Sequence, residues 1–193
     1  MIYDNAGRRK YLTFKEREAF IEATGRFQPE VQTFCLALTY TGARISEILA
    51  LTPEHIDIEA GVVVLESLKK RRKGVFRAVP VPKHFLHRLE VVHGLKSSQL
   101  NSNQCAERIW PWGRTTAWMQ VKQVMQLVDI APSQSMPKAL RHAFGVGATQ
   151  KGIPLNIVQK WLGHSRITTT AIYVDAVGEE ERTLANNMWL SPE

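Results

Sequence analysis

Four residues of this chain have the chemistry to work on a phosphate. Tyr173 carries a phenolic hydroxyl, which can attack phosphorus and form a covalent ester. His164 stands nine positions before it, in Trp161-Leu-Gly-His-Ser165. Arg141 stands twenty-three positions before that histidine, in Lys138-Ala-Leu-Arg-His142, and Arg44 lies far upstream in Thr41-Gly-Ala-Arg-Ile-Ser-Glu47. Guanidiniums present planar forks of donors that match phosphate oxygens. Each residue also has an ordinary reading. An isolated Arg44 would pair with Glu47 at i+3 at a helix start. A histidine after a helix-ending glycine is usually a cap, and a tyrosine between Ile172 and Val174 is usually core.

A second cluster of charge sits between the two arginines. Lys69-Lys-Arg-Arg-Lys73 with Arg77 places six cations within nine residues. Alone, such a run reads as a solvated loop. Its place between the arginine motifs favours a phosphate-contacting hairpin, with contacts that set affinity and salt sensitivity without reading sequence. The chain holds 25 Lys and Arg against 18 Asp and Glu, a net +7, which suits a polyanionic partner and does not identify one.

The elements that must position these groups are mostly helical. Thr13-Phe-Lys-Glu16 is a capping-box pattern that opens a helix ending near Gly25. An apolar helix is predicted from Glu30 to Tyr40, and a third from Ala43 to Leu51 with Arg44 at its edge. Gly61–Leu65 and Val75–Val79 read as two antiparallel strands joined by the basic run. Helices follow at Pro82–His93 and Arg114–Asp129, the second with Trp118, Val121, Met125 and Val128 as a buried stripe. The stretch from Lys96 to Glu107 reads as loop. Further helices run from Pro137 to Lys151, from Pro154 to Gly163, from Ile167 to Ala176 and from Glu179 to Trp189. The fold class is therefore mainly α with a small antiparallel β-sheet.

The motifs in this order resemble those of the tyrosine recombinases, the lambda-integrase family. Arg44 matches the family's first arginine motif, Arg141 the second, His164 the Leu-Gly-His-Ser motif, and Tyr173 the nucleophile after Thr169-Thr-Ala-Ile. The resemblance runs from about Leu12 to about Ala176. It implies the family's catalytic-domain fold and a reaction in which Tyr173 attacks a DNA phosphodiester, leaving a 3′-phosphotyrosyl link and a free 5′-hydroxyl. A second strand's hydroxyl then reverses the step, so no metal or other cofactor is implied. Arg44 and Arg141 would stabilise the charge at phosphorus, and His164 would donate to the phosphate. The proton for the leaving oxygen would come from Lys69, with Lys70 as the alternative register. Lys70, Arg71, Arg72, Lys73 and Arg77 are expected on flanking DNA phosphates. Position 138, where the family usually has His, holds Lys138, which can donate but cannot act as a neutral acceptor at pH 7.

The same resemblance implies a partner, double-stranded DNA carrying a recombination site. It also implies a homo-tetramer on that DNA, with a monomer as the expected free form. The expected layout is a flexible basic arm over 1–11, a catalytic domain over 12–176 and a helical tail over 177–193 that docks on a neighbouring protomer. No N-terminal core-binding domain fits before residue 12, as in the short fimbrial-invertase-like members. Integration, excision, inversion and resolution all remain open, as does the target sequence. The rival readings are a type IB topoisomerase and a catalytically weakened DNA-binding regulator of the same fold.

Composition narrows the remaining classes. Two cysteines, Cys35 and Cys105, provide no disulfide framework and no cysteine-based zinc site. His84, His87 and His93 share a predicted helix, and no carboxylate or cysteine cluster completes a metal site. The chain lacks an apolar run long enough to span a bilayer and lacks a signal-peptide pattern at its start, so no membrane association and a cytoplasmic location are expected.

Overall fold

The computed structural model describes residues 2–67 and 74–174. Helix α1 (Phe14–Thr24) begins at the anticipated capping box: Thr13 Oγ1 accepts from the Glu16 N–H, and the Glu16 carboxylate accepts from the Thr13 N–H. Helix α2 (Pro29–Thr41) is buried along most of its length and forms the centre of the domain. It ends at Gly42, whose φ of 61° is left-handed. A Cβ there would lie 2.6 Å from the Phe144 ring, so both the turn and the packing require glycine. Helix α3 (Ile45–Leu49) follows at once, with Arg44 as its N-cap.

Three strands form an antiparallel sheet in the order β1 (Ile56–Asp57), β2 (Val62–Glu66), β3 (Phe76–Pro80). The β2–β3 register pairs Val62 with Pro80 and Glu66 with Phe76. Residues 68–73, with Lys69, Lys70, Arg71, Arg72 and Lys73, lie outside the described residues. Strand side chains alternate between faces. In β3 this sends Arg77 and Val79 inward and leaves Phe76 and Ala78 outward.

Helices α4 (Lys83–His93), α5 (Leu95–Leu100), α6 (Arg114–Leu127), α7 (Pro137–Gln150), α8 (Leu155–Leu162) and α9 (Thr168–Ala171) complete the described chain. Helix α7 packs across α2, and α8 packs on α7 and β3. The main core gathers Phe20, Phe34, Ile48, Leu65, Phe85 and Trp110, while a smaller cluster gathers Ile2, Tyr11, Val146, Val158, Leu162 and Tyr173.

Four expectations change. Residues 2–11, expected to be a flexible arm, lie folded on the domain: Tyr3 pairs with Arg9, Arg9 forms an ion pair with Glu16, and Ile2 and Tyr11 are buried. The apolar Ile2 and Tyr11 outweigh the basic residues between them. The stretch after Lys96 is partly helical, because Leu95 is fully buried and anchors α5. On α6 the stripe is Ala117, Val121, Val124 and Met125, whereas Trp118 is 38% exposed and lies beneath the Lys122 ammonium. Tyr173 sits just beyond α9, which is shorter than predicted. The predicted Glu179–Trp189 helix falls outside the described residues.

Candidate active site

Glu47 organises the first arginine. Its Oε2 accepts from the Arg44 N–H at 2.9 Å and its Oε1 from Arg44 Nη1 at 2.8 Å. The helix-start ion pair therefore exists, and it leaves the rest of a partly exposed guanidinium available to an anion. Glu47 Oε2 also accepts from Arg77 Nη2 at 2.7 Å. Burial alone would raise the Glu47 pKa, but the charges and donors of Arg77 and Arg44 more than offset it and hold it below the ordinary carboxylate range.

Arg77 does not reach outward to flanking phosphates. Strand alternation buries it, and Nε donates to the Trp161 carbonyl at 2.7 Å while Nη1 donates to Ser67 Oγ at 3.2 Å. It ties β3 to α8 and to Glu47. Removing the Glu47 charge would leave two cations without their shared counter-charge. Glu47→Gln is expected to destabilise the fold by about 3 kcal/mol, as read by urea denaturation. The pH dependence should change with it. A depressed carboxylate pKa stabilises above the unfolded value, and that contribution is lost as pH falls through the folded value. Wild-type stability should fall more steeply below about pH 4 than that of Glu47→Gln.

Arg141 is held by backbone. Nη1 donates to the Gly42 carbonyl at 2.8 Å and Nη2 to the Leu162 carbonyl at 2.7 Å. These are the C-terminal ends of α2 and α8, so one guanidinium closes both helices against α7. Burial, then the neighbouring charge of Arg44, lowers its pKa to about 10, which still leaves it cationic at pH 7. Two of its five donors are used by these carbonyls, which fix its plane and leave others for a ligand.

His164 follows Gly163, the left-handed end of α8. Its Nδ1 shares a 2.8 Å hydrogen bond with the buried Thr170 hydroxyl. Burial, then the charges of Arg141, Arg44 and Arg77, lowers its pKa to about 4, so the ring is neutral at pH 7. In the tautomer where Thr170 donates to Nδ1, Nε2 carries the proton and is left as a donor.

Tyr173 lies 2% exposed against the His164 ring, which stacks on it with centroids 6.2 Å apart and planes 16° from parallel. The His142 ring approaches from another side at 5.7 Å. Gly145 makes this seat possible, since a Cβ there would lie 2.6 Å from the tyrosine ring. Burial raises the phenol pKa, against the opposing pull of Arg141 and Arg44. The core-aromatic reading therefore describes where the ring sits, while the two arginines supply the field around it.

The structure thus brings Arg44, Arg141, His164 and Tyr173 into one electrostatic neighbourhood. Lys138 is exposed in the first turn of α7, on the same face as Arg141 and His142. Beside His164, a groove of about 240 Å³ runs between β3 and α8, lined by Phe76, Asn156, Gln159 and Lys160 among others. Its polar residues went unnoticed in the sequence, where no motif marks them. A larger hollow of about 490 Å³ on α1, around Phe14, Glu18 and Glu22, touches none of these groups. Glu47 and Thr170 were likewise missed as positioning residues; the Glu47 spacing from Arg44 was the available signal. His84 and His93 are engaged with Tyr40 and Thr33. Among the described residues, no helix is long and apolar enough to cross a membrane.

Comparison with known proteins identifies the family. The model of the phage integrase family matches residues 10–180. Tyrosine recombinase XerD of Vibrio cholerae serotype O1 is 30% identical over 158 residues, covering 78% of this chain and 51% of that protein. XerD of Haemophilus influenzae is 34% identical over 155 residues, covering 77% and 51%. The chain therefore spans about half the length of the curated relatives it matches. The crystal structure of XerA recombinase superposes with a TM-score of 0.76 at 21% identity, covering 94% of this chain and 64% of that one. The pre-cleavage complex of XerH site-specific recombinase bound to difH substrate superposes with a TM-score of 0.73 at 18% identity, covering 97% and 60%. At these identities the two structures speak for the fold.

Proposed function

The chain belongs to the phage integrase family, and we propose that it is a site-specific DNA recombinase that cuts and rejoins strands through a 3′-phosphotyrosyl intermediate. One observation carries the reading: Arg44 and Arg141, from separate parts of the fold, both act electrostatically on Tyr173, and His164 stacks on its ring. Arg44 and Arg141 bind the non-bridging oxygens of the scissile phosphate and stabilise the charge that builds there. The neutral His164 donates to the same group through Nε2. Tyr173 attacks phosphorus through its hydroxyl, displacing the 5′-oxygen. Lys69 or Lys70 on the β2–β3 connection protonates that oxygen, and Lys138 keeps the site positive. Arg71, Arg72 and Lys73 bind flanking phosphates. Because one phosphate ester replaces another, the exchange needs no external energy source.

The relatives' names support the substrate class, and XerH is named as bound to its difH substrate. The working form is a homo-tetramer on two duplexes, monomeric without DNA, with residues 177–193 docking on a neighbouring protomer in the cytoplasm. No observation in the site favours the binding-only reading. The test is covalent capture on a nicked duplex whose short released fragment, the one bearing the free 5′-hydroxyl, diffuses away. A protein–DNA adduct that survives denaturation is expected, formed in EDTA and without nucleotide. Binding without any adduct, across a panel of nicked candidate duplexes, would sink the enzymatic reading.

A further inference from the structure

His142 is a buried polar side chain beside Tyr173 that the reaction as described leaves unused. It is 6% exposed, and neither Nδ1 nor Nε2 has a hydrogen-bond partner among the described residues. Buried polar groups are nearly always paired, so an imidazole with two open nitrogens is an exception that calls for a use. Its ring packs on Tyr173 with centroids 5.7 Å apart and planes tilted by 59°. The Tyr173 proton must go somewhere when the hydroxyl attacks. The nearby cations cannot take it: Arg44 and Arg141 are acceptor-free, and so is the ammonium of Lys138. His164 already commits Nδ1 to Thr170.

We propose that His142 is the proton acceptor for Tyr173, a role that rests on the recombinase reading above. The step balances. The phenolic O–H bond breaks and its proton moves to the open imidazole nitrogen. The Tyr173 oxygen bonds to phosphorus, and the bond from phosphorus to the 5′-oxygen breaks with its electron pair leaving on that oxygen. The groups facing the imidazole agree with an empty acceptor: Lys138 and Arg141 on its own helix, Lys10 on the N-terminal segment, and Tyr173 from beyond α9. Burial first, then the charges of Lys138, Arg141 and Lys10, lowers its pKa to about 4, so it is neutral at pH 7. The imidazolium formed in the step is stabilised by the negative charge that develops on the phosphate.

Single-turnover cleavage of the nicked duplex tests this with His142→Phe, which keeps an aromatic ring against Tyr173 and removes both nitrogens. DNA binding should persist while cleavage slows by roughly 10²- to 10⁴-fold. The residual rate should go on rising with pH where the wild-type rate has levelled, because the phenol must then ionise unaided. His142→Ala leaves room for a small base, and added imidazole should restore part of its rate, which keeps the test available if the Phe variant does not fold. Wild-type cleavage by His142→Phe would overturn the assignment. So would a loss with the wild-type pH profile and no rescue by imidazole, which marks a packing role. Failure of the wild-type protein itself to form an adduct would instead overturn the recombinase reading.

Discussion

Tyr173→Phe is expected to form no covalent adduct on the nicked duplex while its affinity for the same DNA stays nearly unchanged. The substitution is narrow. The ring keeps its stack on His164, its contact with His142 and its seat over Gly145, because all three involve the ring and not the hydroxyl. Losing one hydroxyl from this seat changes stability by about 1 kcal/mol or less. Affinity rests on cations facing phosphates, and those are untouched. The chemistry has no substitute, since a phenyl ring offers no nucleophile. A filter-binding curve and a denaturing gel on the same sample separate the two properties. An adduct from the Phe variant, mapped by mass spectrometry to another residue, would move the nucleophile elsewhere. Loss of binding together with cleavage would show that the hydroxyl holds the DNA-binding form together.

How far the site was legible depends on what kind of group does the work. Tyr173, His164, Arg141 and Arg44 are visible because each sits in a short motif of distinctive side chains. The groups that hold them are less visible. Two carbonyls, of Gly42 and Leu162, fix Arg141. Every residue has a carbonyl, so neither leaves a mark in the sequence, although the glycines ending α2 and α8 hint at where the chain turns. Arg77 was within reach of a stricter reading. Val75, Arg77 and Val79 share one face of a strand, and two valines flanking an arginine point to burial with a counter-charge. Membership of a six-cation run pointed the other way, and the strand period prevailed because the carboxylate of Glu47 awaited it. The helices were read well wherever period and caps agreed, as at Thr13–Glu16 and Gly42. Trp118 and Ala117 lie three and four residues before Val121, both steps a helix brings to one side, and it is the small Ala117 that is buried while Trp118 stays 38% exposed.

Arg141→Ala should show two losses of different origin. The first is structural. The guanidinium satisfies the Gly42 and Leu162 carbonyls, and truncation leaves both without that donor, at about 1–3 kcal/mol for each buried unsatisfied group. Because this side chain ties the C-terminal ends of α2 and α8 to α7, Gly163 and His164 should lose their fixed position as well. The second loss is chemical. A donor aimed at charge that develops during the reaction contributes about 10²- to 10³-fold to rate, and a buried cation stands at the upper end or beyond. Arg141→Lys separates the two. A lysine at this site keeps a positive charge but lacks the planar fork, so it cannot hold two carbonyls and a phosphate in one geometry. Cleavage by the Lys variant, measured well below its melting temperature, should remain at least about 10²-fold down. Its melting temperature should lie between those of wild type and Arg141→Ala. If the Lys variant cleaves at the wild-type rate, charge alone suffices and the two-carbonyl clamp serves only the fold. If Arg141→Ala loses stability but cleaves normally while folded, the matched arginine is structural, and Arg44 alone must carry the phosphate.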